Sequence, residues 1–319
     1  MQLSWSDPRL SVASDNRRTA RYRLLQSWFR EQILTAEYGE YRVNGGTRPL
    51  GSLLALRDVV ERPGLNFLSR DAATYARERA DIVQASGGTI DKARLARNML
   101  SSMPMTFSIF GELRAREDRG LDVVRAFLDP HAVAVEVMEC AWHPAVDVLG
   151  DRSSFDAAVI TLREDGSRHL VGIEVKYTES FNRTIYNSDG YRKVHEDSGW
   201  FHSGTARTLL GPSTNQLWRT SLLAAACVQH RVMGVESASV VVMCLAEDPD
   251  AIRALAGVSA ALREPRDHCR IVSLESLVAG VRDGLGPEGS WGDEFAARYL
   301  QPPEIYVELP DTDSESLEL

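Results

Sequence analysis

Three polar residues stand out because they interrupt apolar segments of the chain: Asp156, Glu174 and Lys176. Asp156 lies in the apolar segment 155–162, and Glu174 and Lys176 lie one residue apart in the next apolar segment, 170–176. Side chains on a strand alternate between its two faces, so Glu174 and Lys176 point the same way. Two carboxylates can bind a hard divalent cation, and a lysine can orient or activate a water and stabilise developing negative charge. The pattern therefore indicates a metal site suited to phosphodiester cleavage.

A structural interpretation of the same residues stays open. Asp156 and Glu174 can be surface carboxylates on an edge strand, and Lys176 can pair with Glu174 on a solvent face. An exposed ion pair of this kind stabilises a fold by only about 0–1 kcal/mol. The apolar neighbours of both acids favour the metal site, because an unpaired charge is costly in apolar surroundings.

Other catalytic motifs fit the sequence poorly. His195 and His202 lack the H-E-x-x-H spacing of a helical zinc site, and the stretch 211–214 lacks the lysine of a phosphate-binding loop. No G-x-S-x-G nucleophile elbow occurs in the sequence. Aromatic and basic residues are interleaved in segment 177–212, which suits either a loop that stacks on bases or a structural loop wrapped around its own aromatics.

The net charge of the 319-residue chain is −9, but it is unevenly distributed. Residues 302–319 contain six acids and no basic residue, and without these acids the net charge is −3. Four arginines cluster near the other end of the chain, at Arg17, Arg18, Arg21 and Arg23. The overall charge argues weakly against non-specific nucleic-acid binding, yet it does not exclude a basic groove.

Membrane and disulfide features are missing from the sequence. No apolar run approaches the roughly 18 residues needed to span a bilayer, and the first residues do not read as a signal peptide. We therefore expect a cytoplasmic protein with no membrane partner. The cysteines form no C-x-x-C pair and are expected to be buried free thiols; they are Cys140, Cys227, Cys244 and Cys269.

The order of predicted elements indicates a mixed β-sheet flanked by helices, in the α/β class. Apolar spacing predicts helices over 16–34, 72–84, 90–100, 104–116 and 215–230, and strands over 132–138, 155–162, 170–176 and 239–245. Segments 38–66 and 177–212 are expected to be irregular. We divide the chain into a helical N-terminal region packed on the core (1–100), a core (101–285) and an acidic tail (286–319).

With these elements in place, the chain resembles the PD-(D/E)XK nuclease superfamily, the fold of many restriction endonucleases. Asp156 on the second strand and Glu174-Val175-Lys176 on the third carry the resemblance. Segments 101–113, 172–177 and 215–219 also resemble signatures of a bacterial restriction-endonuclease family, and the likeness covers roughly residues 16–275. The proline that usually precedes the aspartate is replaced by Phe155.

The resemblance implies a restriction-endonuclease-like αβββαβ core and a set of site residues. It implies metal binding by Asp156, Glu174, the Val175 carbonyl and a helix acid, Glu112. It also implies that Lys176 and Gln216 take part in catalysis and that Arg219 and Tyr177 contact the substrate.

The function implied by the resemblance is a Mg²⁺-dependent DNA endonuclease in restriction or defence, with Mn²⁺ as a substitute. Further defence subunits and a homodimer are possible partners. Two other functions stay open: a non-catalytic nucleic-acid-binding or assembly protein on the same fold, and a structure-specific repair nuclease. A metal-dependent cleavage assay separates the first from an enzyme, because fold alone does not imply function.

Overall fold

Two β-sheets occur in the computed structural model, which describes residues 9–10, 12–284 and 290–301. The strands are β1 (Tyr38–Val43), β2 (Gly46–Leu54), β3 (Ala132–Trp142), β4 (Phe155–Arg163), β5 (Arg168–Val175), β6 (Ser237–Cys244) and β7 (Cys269–Ser273). β1 and β2 form a separate two-stranded hairpin, and the other five strands form one sheet in the order β3-β4-β5-β6-β7. β3, β4 and β5 are antiparallel neighbours, whereas β6 and β7 run parallel to β5.

Helices cover both faces of the five-stranded sheet. They are α1 (Arg17–Gln32), α2 (Leu56–Glu61), α3 (Arg70–Ala85), α4 (Lys92–Arg97), α5 (Ser102–Ala115), α6 (Glu117–Phe127), α7 (Asp189–Asp197), α8 (Asn215–Gln229), α9 (Pro249–Ser259), α10 (Pro265–His268), α11 (Leu274–Gly284) and α12 (Ser290–Phe295). Short 3-10 turns lie at Thr205–Leu209 and Val232–Gly234, and a π-helical turn lies at Ala296–Leu300. The predicted order of one helix, three strands, one helix and one strand is confirmed, with α5 and α6 preceding β3 and α8 joining β5 to β6.

Strand alternation divides the core into two layers. On one face, Ala157, Val171 and Ile173 pack with buried residues of α1, α3, α5, α6, α11 and α12. On the other face, Ala158 and Leu170 pack with residues of α7, α8 and α9. Helices from the first hundred residues thus share one hydrophobic core with the sheet. Because both faces are covered, the central strands are apolar almost throughout, and a polar side chain on them needs a specific partner.

Two segments expected to be irregular contain regular structure. Segment 38–66 holds the β1–β2 hairpin and α2, and its turn uses Gly45 and Gly46 at φ of +92° and +152°. The many glycines and prolines of this segment suggested irregular structure, but two of the glycines form the turn of a hairpin, where positive φ favours glycine. Segment 177–212 contains α7, whose Tyr191 and Val194 are buried against the sheet layer formed with α8.

The tail region and the cysteines complete the fold. Residues 290–300 are helical, and Trp291, Phe295 and Tyr299 are buried in the first core layer, whereas the acidic residues 302–319 lie outside the described part of the chain. The four cysteines are free and buried, as expected. Within the described ranges, no helix is both long enough and apolar enough to cross a bilayer.

Candidate active site

The register of β4 and β5 brings the two predicted acids together. Ala157 is paired with Ile173, so in an antiparallel ladder the next pair is Asp156 and Glu174. Directly opposed residues point to the same face. Lys176 follows β5 by one residue, and its backbone N–H donates to the Met243 carbonyl of β6, which continues the ladder. Asp156, Glu174 and Lys176 therefore share the sheet face that α8 covers.

Glu174 and Lys176 form a buried ion pair rather than a surface pair. Lys176 Nζ lies 2.8 Å from Glu174 Oε1, and the two side chains are only 9% and 5% exposed. The ammonium group also lies 4.9 Å from the centre of the Phe181 ring. An ion pair buried in this way has a large desolvation cost, so it is poorly explained as a stabilising surface contact.

Gln216, in the first turn of α8, connects the members of this pair. Its Nε2 donates to Glu174 Oε1 at 2.5 Å, and its Oε1 accepts from Lys176 Nζ at 3.4 Å and from the Asn182 N–H at 2.6 Å. Thr220, one turn later, donates to Glu174 Oε2 at 3.4 Å. Residues four apart lie on the same helix face, so α8 aims both side chains at the end of β5.

Asp156 is an acid whose ionised form is disfavoured by its surroundings in the folded protein. One of its oxygens accepts the Val175 N–H at 2.8 Å. Burial, followed by the nearby Glu174 carboxylate, raises the pKa of Asp156 to about 7. Burial alone lowers the pKa of Lys176, but Glu174 and then Asp156 outweigh it, so this pKa is raised overall and the lysine is cationic. Two carboxylates and one buried ammonium leave the site with an excess of negative charge.

An open pocket of about 330 Å³ gives access to these groups. Besides Asp156, Glu174, Lys176 and Gln216, its lining includes Arg94 and Glu179, which sequence reasoning missed. Arg94 donates to Glu179 Oε1 at 2.8 Å, and the Arg94 side chain remains 40% exposed. Glu179 also accepts from the Ser102 N–H at 2.8 Å, at the start of α5. No spacing in the sequence links Arg94 to the strand motif, because it lies about 80 residues earlier.

The position of Glu112 corrects its expected role as a metal ligand. The pocket is lined by the first two turns of α5, through Ser102, Met103, Thr106 and Phe107. Glu112 lies five residues beyond Phe107, about 7.5 Å further along the helix. Its carboxylate binds Arg116 at 2.5 Å within the same helical segment and does not line the pocket. The acid is buried, but at the wrong end of the helix.

The structure places Arg219 beside the pocket but outside its lining. Its guanidinium donates to Tyr191 Oη and to Ser153 Oγ, each at 3.0 Å, and lies 3.9 Å from the centre of the Tyr186 ring. Asp151 lies 3.8 Å away. Arg219 links the segment before β4 to α7 and is not part of the pocket lining, so its contacts in the structure are those of a brace.

Tyr177 is a core residue, which corrects its expected role as a substrate contact. It is fully buried, its hydroxyl accepts from Gln26 Nε2 at 3.1 Å and it donates to the Tyr299 carbonyl at 3.1 Å. The reason is strand alternation. Tyr177 follows Val175 onto the face opposite Lys176, where it packs among the helices of the other layer.

The donor set fits a hard divalent cation. Within the described residues, no group of three or more His, Cys, Asp or Glu side chains is arranged to hold a metal. Asp156 and Glu174 instead offer two carboxylates beside backbone groups of Val175, and their mutual repulsion is what a cation would relieve. Ions such as Mg²⁺ commonly bind through one or two carboxylates and keep several waters.

Other polar residues named from the sequence have structural roles. The ring of His195 is fully buried, with Nδ1 accepting from Trp218 Nε1 at 3.1 Å and Nε2 lying 3.2 Å from the Thr205 hydroxyl. Both nitrogens are therefore occupied, and no zinc site forms there. Phe155, which stands where proline is usual, is fully buried and stacks on Trp142. A Cβ on Gly172 would lie 2.4 Å from the Phe155 ring, so the absence of a side chain at Gly172 makes room for that ring.

The comparison with known families agrees with the strand motif. The family model described as the PD-(D/E)XK nuclease superfamily matches residues 13–301. No curated protein and no solved structure matches the chain. The five-stranded mixed sheet with flanking helices is consistent with the restriction-endonuclease-like fold of that superfamily. The chain belongs to the PD-(D/E)XK nuclease superfamily.

Proposed function

We propose that this protein is a Mg²⁺-dependent DNA endonuclease. The observation that carries the proposal is the pocket in which partly buried Asp156 and buried Glu174 face each other beside the Lys176 ammonium. Holding like charges together in a fold is unfavourable, so such a cluster is typical of a functional site. Membership of a nuclease superfamily gives the reaction class, phosphodiester hydrolysis.

Asp156, Glu174 and the Val175 carbonyl are the groups we assign to the metal ion. When bound, the ion supplies an activated water and neutralises charge on the phosphate. Lys176 carries a proton and directs its positive charge at the attacking water and the phosphate. Gln216 fixes the positions of Glu174 and Lys176 through its two hydrogen bonds.

Arg94 replaces Arg219 as the residue that we assign to a substrate phosphate. It is the arginine in the pocket lining, and its Nε and Nη2 are held by Ser101 and Glu179, which orient the guanidinium. A guanidinium held this way and still 40% exposed can bind a phosphate oxygen with little loss of side-chain entropy.

A role in restriction or defence, a cytoplasmic location and action with further subunits or as a homodimer complete the proposal. The defence role and the partners are supported by the resemblance of segments 101–113, 172–177 and 215–219 to a restriction-endonuclease family, and the cytoplasmic location by the four buried free thiols. Mn²⁺ is expected to substitute for Mg²⁺, because both accept carboxylate ligands in octahedral sites.

A cleavage panel tests the proposal. Supercoiled plasmid, linear duplex, flapped duplex, single-stranded DNA and RNA, each with and without base modification, are incubated with the protein in Mg²⁺, Mn²⁺ or EDTA. We expect metal-dependent cleavage of duplex DNA by the wild type and none by Asp156→Ala, while Glu164→Ala, at an exposed turn between β4 and β5, cleaves normally. Preference for flaps or single strands would favour a repair nuclease. Binding without cleavage on every substrate would favour a non-catalytic protein.

A further inference from the structure

A second, larger pocket of about 700 Å³ lies at the opposite end of the sheet from the acids. It is lined by residues at the starts of β5, β6 and β7, whereas Glu174 and Lys176 lie at the end of β5. Its basic residues include Arg125, Arg163, Arg266, Arg270, His169 and His268. Pockets of this volume typically hold small molecules. Nothing in the proposed cleavage reaction uses it.

The buried acid of this pocket, Asp129, pairs with only one of its arginines, Arg163. Asp129 is 1% exposed, and both of its oxygens are occupied by Arg163 at 3.0 and 3.1 Å, by the Thr161 hydroxyl and by the His131 N–H. The other two acids of the lining, Glu236 and Asp267, are exposed to solvent, where their charge is screened. The hydrogen-bonding positions of Asp129 are therefore filled, and its charge only partly offsets the effect of burial on the pKa of Arg270.

Three arginines of the lining retain hydrogen-bonding capacity. Within the part of the chain that the structure describes, Arg270 donates through Nη2 alone, to the carbonyls of Phe127 and Leu128 at 3.0 and 2.6 Å. Arg125 donates through Nε to a carbonyl and lies 3.6 Å from exposed Asp122. Among the described residues, exposed Arg266 makes no hydrogen bond or ion pair. Each guanidinium has five N–H donors, so most of these donors are free.

The charges around His169 are mostly positive. His169 is 6% exposed and lies between the hydroxyls of Ser237 and Ser239, at 2.8 and 3.0 Å. Burial, followed by Arg163, lowers the pKa of His169 to about 4. Arg270 and His131 act in the same direction, and only Asp129 opposes them. His268 stacks on Trp200 at 4.0 Å, and its Nδ1 is buried without a hydrogen-bond partner.

We propose that this second pocket binds a small phosphorylated ligand of mononucleotide size, with its phosphate held by Arg125, Arg266 and Arg270. A phosphate monoester supplies the multiple acceptor oxygens and the negative charge that these guanidinium groups lack. The pocket volume excludes a bare phosphate as a complete fit and accommodates a nucleoside. This site is independent of the cleavage reaction, because no residue of the acid cluster lines it.

Calorimetric titration tests the proposal with metal-free protein in EDTA, using pyrophosphate, adenosine monophosphate and uncharged adenosine as probes. We expect the two anions to bind and adenosine to bind at least tenfold more weakly. Arg266→Glu should weaken anion binding by roughly tenfold or more, the scale of one charged hydrogen bond. Arg270→Lys, which keeps the charge but loses the fork of donors, should weaken it less.

Two control variants identify the site. Arg77→Glu, at an exposed position of α3 away from either pocket, should bind like the wild type. Lys176→Ala should also bind like the wild type, since it alters only the cleavage site. Anion binding lost in Lys176→Ala but kept in Arg266→Glu would assign the anion to the cleavage site and overturn the proposal. No binding at millimolar anion, or binding of DNA oligonucleotides alone, would overturn it as well. All of these outcomes are independent of whether the protein cleaves DNA.

Discussion

Replacing Asp156 by asparagine should make the metal-free protein more stable at pH 8. Burial and then Glu174 raise the pKa of Asp156 from 3.8 to about 7, so its ionised form is disfavoured in the folded state. Asparagine has nearly the same shape and can still accept the Val175 N–H through its amide oxygen. The substitution therefore removes a buried repulsion without creating a cavity, at the cost of the metal site.

The magnitude follows from linkage between protonation and folding. The folded protein binds more protons than the unfolded chain between about pH 4 and pH 7, so wild-type stability falls as pH rises through that window. The difference between 3.8 and about 7 corresponds to at most about 4 kcal/mol above pH 7. For a chain of 319 residues, this equals an increase in Tm of about 6 °C. The advantage of the variant should nearly vanish at pH 4.

Thermal unfolding in EDTA at pH 5 and pH 8 measures this effect, with Glu164→Gln as a matched exposed control. We expect the Tm of Asp156→Asn to exceed the wild-type value by several degrees more at pH 8 than at pH 5. Added Mg²⁺ should raise the Tm of the wild type and not that of the variant, because binding stabilises only a competent native state. A Tm difference that is absent or independent of pH would refute the electrostatic reasoning.

Three other predictions concern individual residues. Lys176→Ala should bind DNA but cleave at least ~10²-fold more slowly in single-turnover assays, the usual effect of one acid–base or charge-stabilising group; a wild-type rate would reduce the lysine to an ion-pair partner. Arg94→Ala should lower the slope of log affinity against log salt by about 1, measured in Ca²⁺, whereas Arg219→Ala should leave the slope unchanged and reduce only the cleavage rate. A lowered slope for Arg219→Ala and an unchanged slope for Arg94→Ala would assign the phosphate contact to Arg219 instead. The pKa of His169 is lowered to about 4, so protonation of its ring should reduce the free energy of unfolding by up to about 3 kcal/mol as pH falls from 6.5 to 4. His169→Asn should lack this loss in denaturant titrations at pH 4.5 and 7, and an equal loss in both proteins would contradict it.

The strand motif could be predicted from the sequence because its geometry is local. Asp156, Glu174 and Lys176 share a face through two-residue alternation and a single hairpin register. Gln216 was reached by resemblance, and the hydrogen bonds of α8 account for it physically. The same alternation assigns Tyr177 to the face opposite Lys176, so the sequence alone argues against a substrate contact by Tyr177.

The remaining parts of the site depend on contacts between distant segments. Arg94 and Glu179 meet across 85 positions of the chain, and no local pattern predicts such a pair. Glu112 was misassigned because helix membership does not specify which end of the helix meets the sheet. Arg219 lies on the correct helix, but the partners that orient it, Tyr191 and Ser153, come from segments with no periodic signal.

We propose that the cluster at the start of β4 and the end of β5 hydrolyses phosphodiesters with a bound metal ion. The most direct test of this proposal is the single-turnover cleavage rate of duplex DNA across a Mg²⁺ titration, for the wild type, Glu174→Ala and Glu164→Ala. We predict a saturable dependence on Mg²⁺ for the wild type and Glu164→Ala, and no cleavage by Glu174→Ala at any Mg²⁺ concentration, although it remains folded and binds DNA. Cleavage by Glu174→Ala at the wild-type rate, or wild-type cleavage that persists in EDTA, would contradict the account.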